Sequence, residues 1–313
     1  MTRVAAIDCG TNSIRLLVAD VDPATGDFTE LDRRMEIVRL GQGVDRTGRL
    51  APEALERTFG ACRAYAAVIK ELGAERVRFV ATSASRDAEN SDTFVRGVLD
   101  ILGVEPEVVT GAQEAQLSFD GATKELAGGD HLEKPYLVVD IGGGSTEFVV
   151  GDDRVRAARS VDIGCVRMTE RHLVVDGAAV DPPTPDRVAA IRADIGSALD
   201  LAEETVPLAS AATLVGLAGT VTTVAAIALG LEEYDSEAIH HSRVSLERVR
   251  EITERLLAST HEERAAIPAM HPGRVDVIAS GALVLLAVME RSGAQEVVVS
   301  EHDILDGIAW SAA

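Results

Sequence analysis

IDCGTNSIRLLVAD (residues 7–20) returns without a gap as VDIGGGSTEFVVGD (residues 139–152). The two stretches share Asp8/Asp140, Gly10/Gly142, Ser13/Ser145, Val18/Val150 and Asp20/Asp152. Each is an apolar strand ending in Asp, then a tight turn of small residues, then a second apolar strand. That pattern is a β-hairpin presenting a polar loop, and two copies predict two similar domains facing each other. The boundary falls near Ala127-Gly128-Gly129-Asp130, a glycine-bearing polar stretch, which divides the chain into 1–126 and 127–313.

A turn of small residues exposes consecutive backbone N–H groups with no Cβ in the way, so a phosphate can approach closely. Gly142, Gly143, Gly144, Ser145 and Thr146 can do this in the second domain, and Gly10, Thr11, Asn12 and Ser13 in the first. Asp8 and Asp140, each at a strand end, are placed to hold Mg²⁺ directly or through water. The loops match neither GxxxxGK[ST] nor GxGxxG, so a P-loop or dinucleotide site is not expected.

Outward from the hairpins, short β-branched runs alternate with longer amphipathic stretches, which predicts an α/β fold. Strands are expected at 4–8, 15–21, 76–81, 107–110, 136–140, 147–150, 213–217 and 296–300. Helices are expected at 51–72, 91–102, 113–124, 184–205, 244–257 and 274–292. With 46% hydrophobic and 26% charged residues the chain is neither disordered nor fibrous, and 313 residues suit two domains. Aromatics make up only 3%, so the core must be aliphatic. A formal charge of -21 repels nucleic acid and anionic membranes, and neither is expected as a partner. Cys9, Cys62 and Cys165 are odd in number and form no CxxC, against a disulfide scaffold or zinc site. The N-terminus enters a strand at once and no run approaches eighteen apolar residues, so a cytoplasmic location is expected. Arg33, Arg34, Arg39, Arg46 and Arg49 read either as a solvated strand edge or, with slight preference, as a basic track that guides a polyanion. His240 and His241 read as satisfied surface residues.

Residues 8–13, 140–147 and 217–220 (LAGT) resemble the phosphate and nucleoside loops of the acetate and sugar kinase, chaperone ATPase and actin superfamily. Three further segments narrow the match: ATSASRDAEN at 81–90, GAQEA at 111–115 and IGCVR at 163–167. These are similar to segments of the exopolyphosphatase and guanosine pentaphosphate phosphohydrolase family, in order and spacing from residue 3 to about 310. The resemblance implies a two-domain actin-like, ribonuclease H-like α/β fold with a mixed five-stranded sheet in each half. It implies Mg²⁺-dependent hydrolysis of a terminal phosphoanhydride in the cleft between the domains. Longer members of the family add a C-terminal helical domain resembling HD phosphohydrolases, and this sequence is expected to be the short form, its last segment packing back on the first domain. Family relatives are often dimers, so a homodimer is a further expectation.

On its own, Glu114 in the first turn of a helix complements the helix dipole. The resemblance makes it the general base that polarises the attacking water. Arg86 suits phosphate oxygens by its guanidinium fork, or else pairs with Asp87 or Glu89. The resemblance alone makes Glu147 a metal or water-positioning residue, because its counterpart in the first hairpin is Arg15. Gly219 and Thr220 belong either to a nucleoside loop or simply to a helix start. The expected activity is Mg²⁺-dependent release of orthophosphate from the end of inorganic polyphosphate, with guanosine pentaphosphate as the alternative substrate. A small-molecule kinase and a non-enzymatic filament or nucleotide sensor are more distant alternatives.

Overall fold

The computed structural model describes residues 1–126 and 132–313, so the boundary expected at 127–130 lies outside the described residues. The chain forms two compact units, Met1–Glu125 with His302–Ala313, and Leu126–Glu301.

The first unit runs β1 (Thr2–Cys9), β2 (Ser13–Asp22), β3 (Asp27–Ile37), α1 (Val44–Thr47), α2 (Pro52–Leu72), β4 (Arg76–Ala81), α3 (Ser83–Asp87), α4 (Ser91–Leu102), β5 (Glu107–Val108) and α5 (Gly111–Leu126). Its strands are ordered β3-β2-β1-β4-β5. β1 is antiparallel to β2 and parallel to β4, the ribonuclease H-like arrangement. The strand period of two decides what β1 covers. Ala5, Ile7 and Cys9 face a core with Leu55 and Tyr65 of α2 and Phe94 of α4. Val4 and Ala6 face the opposite core. α2 starts where the sequence places it: Ala51 is extended, Pro52 opens the helix, and Gly73 at φ 68 closes it by donating to Ile69 O.

The second unit runs β6 (Tyr136–Ile141), β7 (Thr146–Gly151), β8 (Val155–Val161), α6 (Cys165–Leu173), β9 (Val174–Val175), β10 (Ala178–Ala179), α7 (Pro185–Glu203), β11 (Thr213–Leu217), α8 (Ala218–Leu229), α9 (Ser236–Ile239), β12 (Arg243–Ser245), α10 (Leu246–Ala258), α11 (His261–Ala265), α12 (Ile278–Ser292) and β13 (Glu296–Val299). Its main sheet has six strands, β12-β13-β11-β6-β7-β8, where five were expected. The extra strand is β12, three residues beside β13 that the sequence merges into the following helix. Leu137, Val139 and Ile141 of β6 pack with Val224 of α8 and with Leu283 and Leu286 of α12.

The chain then closes with α13 (Ile304–Ala312) in the first unit, where Ile304, Leu305 and Ile308 pack on Val4, Ala6 and Leu17. Asp303 caps this helix and Asp306 completes a capping box.

The repeat is real in three dimensions. Asp8 lies opposite Arg15 in the β1–β2 pair, and Asp140 opposite Glu147 in β6–β7. Each turn closes by the same bond, Gly10 N–H to Ser13 O at 2.9 Å and Gly142 N–H to Ser145 O at 3.1 Å. A third antiparallel strand follows each hairpin, β3 and β8. Three of the five arginines read as a basic track are engaged by acids. Arg33 pairs with Asp306 at 2.5 Å and Glu30 at 2.7 Å, Arg34 with Asp32 at 2.7 Å, and Arg49 with Glu89 at 3.4 Å. β3 is an edge strand, and along it Arg33 and Arg34 pair with Glu30 and Asp32.

Candidate active site

Asp8, one residue before the end of β1, is 4% exposed. Arg15 on the paired strand donates to Asp8 Oδ2 from Nη2 at 2.7 Å and from Nε at 3.0 Å, and its remaining nitrogen reaches Asp303. Asp8 Oδ1 is buried with no hydrogen-bond partner. Burial pushes the Asp8 carboxyl above its ordinary value, against the opposing charge and hydrogen bonds of Arg15. In the loop beyond it, the Thr11 hydroxyl meets Ser83 Oγ at 2.8 Å and ties the turn to α3.

In the second unit Asp140 and Glu147 are cross-strand partners, both buried. Residues directly opposite share a face of the sheet, so both carboxylates stand together on one side. Glu147 Oε1 accepts from Ser160 Oγ at 2.7 Å. Thr146 is fully buried and its hydroxyl donates to Ile163 O at 2.6 Å, so that proton is used inside the unit. Gly142, Gly143, Gly144 and Ser145 form the turn itself.

Glu114 stands on the first turn of α5, where its N–H donates to Thr110 O at 2.9 Å. It is 7% exposed, the burial that sequence alone leaves open. Arg86 Nη1, from α3, donates to Glu114 Oε2 at 2.9 Å and to Val109 O at 3.0 Å. Glu89 is engaged by Arg49 instead. The fold thus brings together the two residues expected to carry the chemistry, 28 positions apart in the chain.

β11 leads into α8 through Leu217, and the helix begins at Ala218, held at φ 67. Such a left-handed conformation is costly for a residue with a Cβ. Arg274 Nη1 donates to Gly219 O at 3.0 Å and to Thr223 Oγ1 at 2.8 Å. A Cβ on Gly219 would overlap that guanidinium. The LAGT segment opens α8, and its glycine makes room for Arg274. His240 and His241 are half-buried rather than surface residues, with their rings stacked at 3.7 Å and Glu301 N–H donating to His240 Nδ1 at 3.1 Å.

Among the described residues no group of three or more His, Cys, Asp or Glu side chains gathers as a metal site. Mg²⁺ asks for less. It keeps several waters and takes one or two carboxylates plus substrate phosphates. The paired carboxylates of Asp140 and Glu147 offer hard oxygen donors of that kind, and the unsatisfied Asp8 Oδ1 is an oxygen that a cation or its water would complete. The residues present fit the ion.

Sequence reasoning did not find Arg274, nor the part Arg15 plays in tying Asp8 to Asp303. An arginine facing the Asp of a matching hairpin was the available signal for the second. Arg274 lies 55 residues from Gly219 and carried none.

Two units built on mixed sheets, each with a buried aspartate one residue before the end of its first strand and a turn of small residues beyond it, define a phosphate-handling α/β protein of the ribonuclease H-like kind. The model of the Ppx/GppA phosphatase family matches residues 17–313, and the chain belongs to that family. It is 52% identical to exopolyphosphatase 2 of Mycobacterium tuberculosis over 100% of this chain and 99% of that protein. A solved exopolyphosphatase-like protein is 45% identical with a TM-score of 0.93, covering 99% of this chain and 97% of that one. The solved Ppx-GppA enzyme of Aquifex aeolicus is 31% identical with a TM-score of 0.81, covering 99% of both chains.

Proposed function

We propose that this protein is an exopolyphosphatase that releases orthophosphate from the end of inorganic polyphosphate. The observation that carries this is Glu114, buried on the first turn of α5 with Arg86 bound to one carboxylate oxygen. Glu114 takes the proton of the attacking water. No acid is needed opposite it, because a phosphate chain end leaves without protonation. What the reaction needs is orientation and neutralised equatorial charge. The turn N–H groups at 143–145 and the Arg86 guanidinium supply donors for phosphate oxygens. Gly10, Thr11, Asn12 and Ser13 do the same in the first unit. Asp140 and Glu147 would hold Mg²⁺, whose charge would offset that of the transferred phosphoryl group.

Guanosine pentaphosphate, the other substrate class of the family, uses the same groups plus a nucleoside pocket. Arg274 occupies the space beside Gly219, in the loop whose small residues were expected to let a base or ribose lie close. That favours polyphosphate. Three free, buried thiols match a reducing cytoplasm, and -21 charges argue against nucleic acid as partner. A homodimer is part of the same reading, and sedimentation at assay concentration tests it. Among the described residues no helix is long and apolar enough to cross a membrane.

The test is the product distribution from a polyphosphate of defined length with Mg²⁺. Orthophosphate alone, with the parent chain shortening one unit at a time and EDTA stopping the reaction, supports the proposal. Internal cleavage products, or no release at all, reject it.

A further inference from the structure

The two turns are held from behind in the same way. In the second unit, Cys165 N–H donates to Gly142 O at 3.0 Å, and Val166 and Arg167 N–H to Gly143 O at 2.9 and 3.1 Å. Gly164 N–H donates to Gly144 O at 3.1 Å, and Arg167 Nε adds a second donor to that carbonyl at 2.7 Å. In the first unit, Val38 and Arg39 N–H donate to Asn12 O at 3.1 and 2.8 Å, and Gly41 N–H to Thr11 O at 2.9 Å. Both holding segments follow the third strand of their sheet, β3 or β8. The internal repeat therefore extends past the hairpins to the segments that grip them.

A peptide unit is planar and trans, so a pinned C=O aims the next residue's N–H in the opposite direction. Fixing the carbonyls of 142, 143 and 144 turns the N–H groups of 143, 144 and 145 away from α6. Fixing those of 11 and 12 does the same for 12 and 13. Glycine is required at each grip by contact rather than by backbone freedom. Gly164 has an ordinary φ of -96, and Gly41 is not among the residues at positive φ. A Cβ on Gly164 would overlap the backbone of Gly143 and Gly144, and one on Gly41 would overlap the Thr11 methyl.

We propose that residues 38–41 and 164–167 are matched braces that aim the turn N–H groups at phosphate oxygens, with Gly41, Gly164 and Arg167 as positioning residues. This rests on the two turns being the phosphate sites of the proposed function. Gly41→Ala and Thr11→Ser give the sharpest test. Thr11→Ser deletes the methyl that the new Cβ would strike and keeps the hydroxyl that meets Ser83.

Tripolyphosphate binding is titrated calorimetrically in Mg²⁺ buffer, beside KM, kcat and thermal unfolding. Gly41→Ala, Gly164→Ala and Arg167→Met should each weaken binding and raise KM on the order of tenfold or more, the cost of misaimed hydrogen bonds to a charged group. Adding Thr11→Ser to Gly41→Ala should return binding towards that of Thr11→Ser alone. No such rescue exists for Gly164→Ala, whose clash is with backbone. If that variant does not fold, the Gly41 pair and Arg167→Met decide. Folded Gly41→Ala and Arg167→Met that bind like the parent overturn the proposal. So does a double variant without recovery, a fall in kcat with binding intact, or a parent that binds no tripolyphosphate. A parent that binds but releases no orthophosphate, with the variants still weakened, would sink the exopolyphosphatase reading and leave the braces standing.

Discussion

Replacing Glu114 by Gln separates catalysis from stability by magnitude. The amide keeps the volume of the side chain and an oxygen that can accept from Arg86 Nη1, now at 2.9 Å from Oε2. What it loses is the ability to take a proton. Loss of a general base costs ~10²–10⁴-fold in rate, about 3–5 kcal/mol of barrier. The stability cost is smaller for two reasons. Arg86 keeps its bond to Val109 O, and its side chain is 25% exposed, so water softens the lost charge. About 1 kcal/mol is expected, a shift of a few degrees in Tm. Initial rates of orthophosphate release, tripolyphosphate binding and thermal unfolding on one preparation measure all three quantities. Near-parental turnover in a folded Glu114→Gln protein would remove Glu114 from the role of base. A large drop in Tm with proportionate loss of binding would make it a structural acid instead.

Other substitutions probe the frame that holds these groups. A Cβ on Gly307 of α13 would overlap the backbone of Leu117 in α5, which cannot rotate away, so Gly307→Ala should destabilise by ~1–3 kcal/mol and lower Tm by several degrees. Burial alone would raise the Asp306 carboxyl, but the His302 hydrogen bond and the Arg33 charge hold it well below the usual carboxylate range. A depressed carboxylate contributes stability above its unfolded value of about 3.9, and loses it as pH falls towards the folded one. Asp306→Asn should therefore unfold earlier than the parent at pH 7, with the gap narrowing below about pH 4 in thermal melts. Burial pushes the Cys62 thiol up to about 12 and the Cys9 thiol well above its ordinary value. Alkylation of both by iodoacetamide should be negligible in the native protein and rapid in denaturant, and fast native labelling would contradict the packing.

The hairpin repeat was legible because both copies place apolar strands around a turn of small residues, a local pattern that needs no tertiary context. β3 was not, because an edge strand with the sequence DFTELDRRMEI carries its charges on both faces and shows no alternation. The 274–292 stretch reads as one helix, yet Pro272–Arg274 forms a 3-10 turn and α12 begins at Ile278. Arg274 leaves the helix to hold Gly219. Glu114 was visible through its motif, while its burial and its bond to Arg86 belong to the packing of α3 against the start of α5. Gly41 had no signal at all, since the Thr11 methyl that requires it lies thirty residues away in sequence. Close approaches between distant backbone segments are set by the fold, and a single sequence does not record them.

On the proposed function, this site acts on the end of a polyphosphate chain. Orthophosphate release from polyphosphate, guanosine pentaphosphate and ATP, measured side by side at equal Mg²⁺ and ionic strength, tests it most directly. A kcat/KM for polyphosphate well above the other two is the predicted result, with a ~10²–10⁴-fold fall in Glu114→Gln. A preference for guanosine pentaphosphate, or turnover of ATP with polyphosphate untouched, would contradict it.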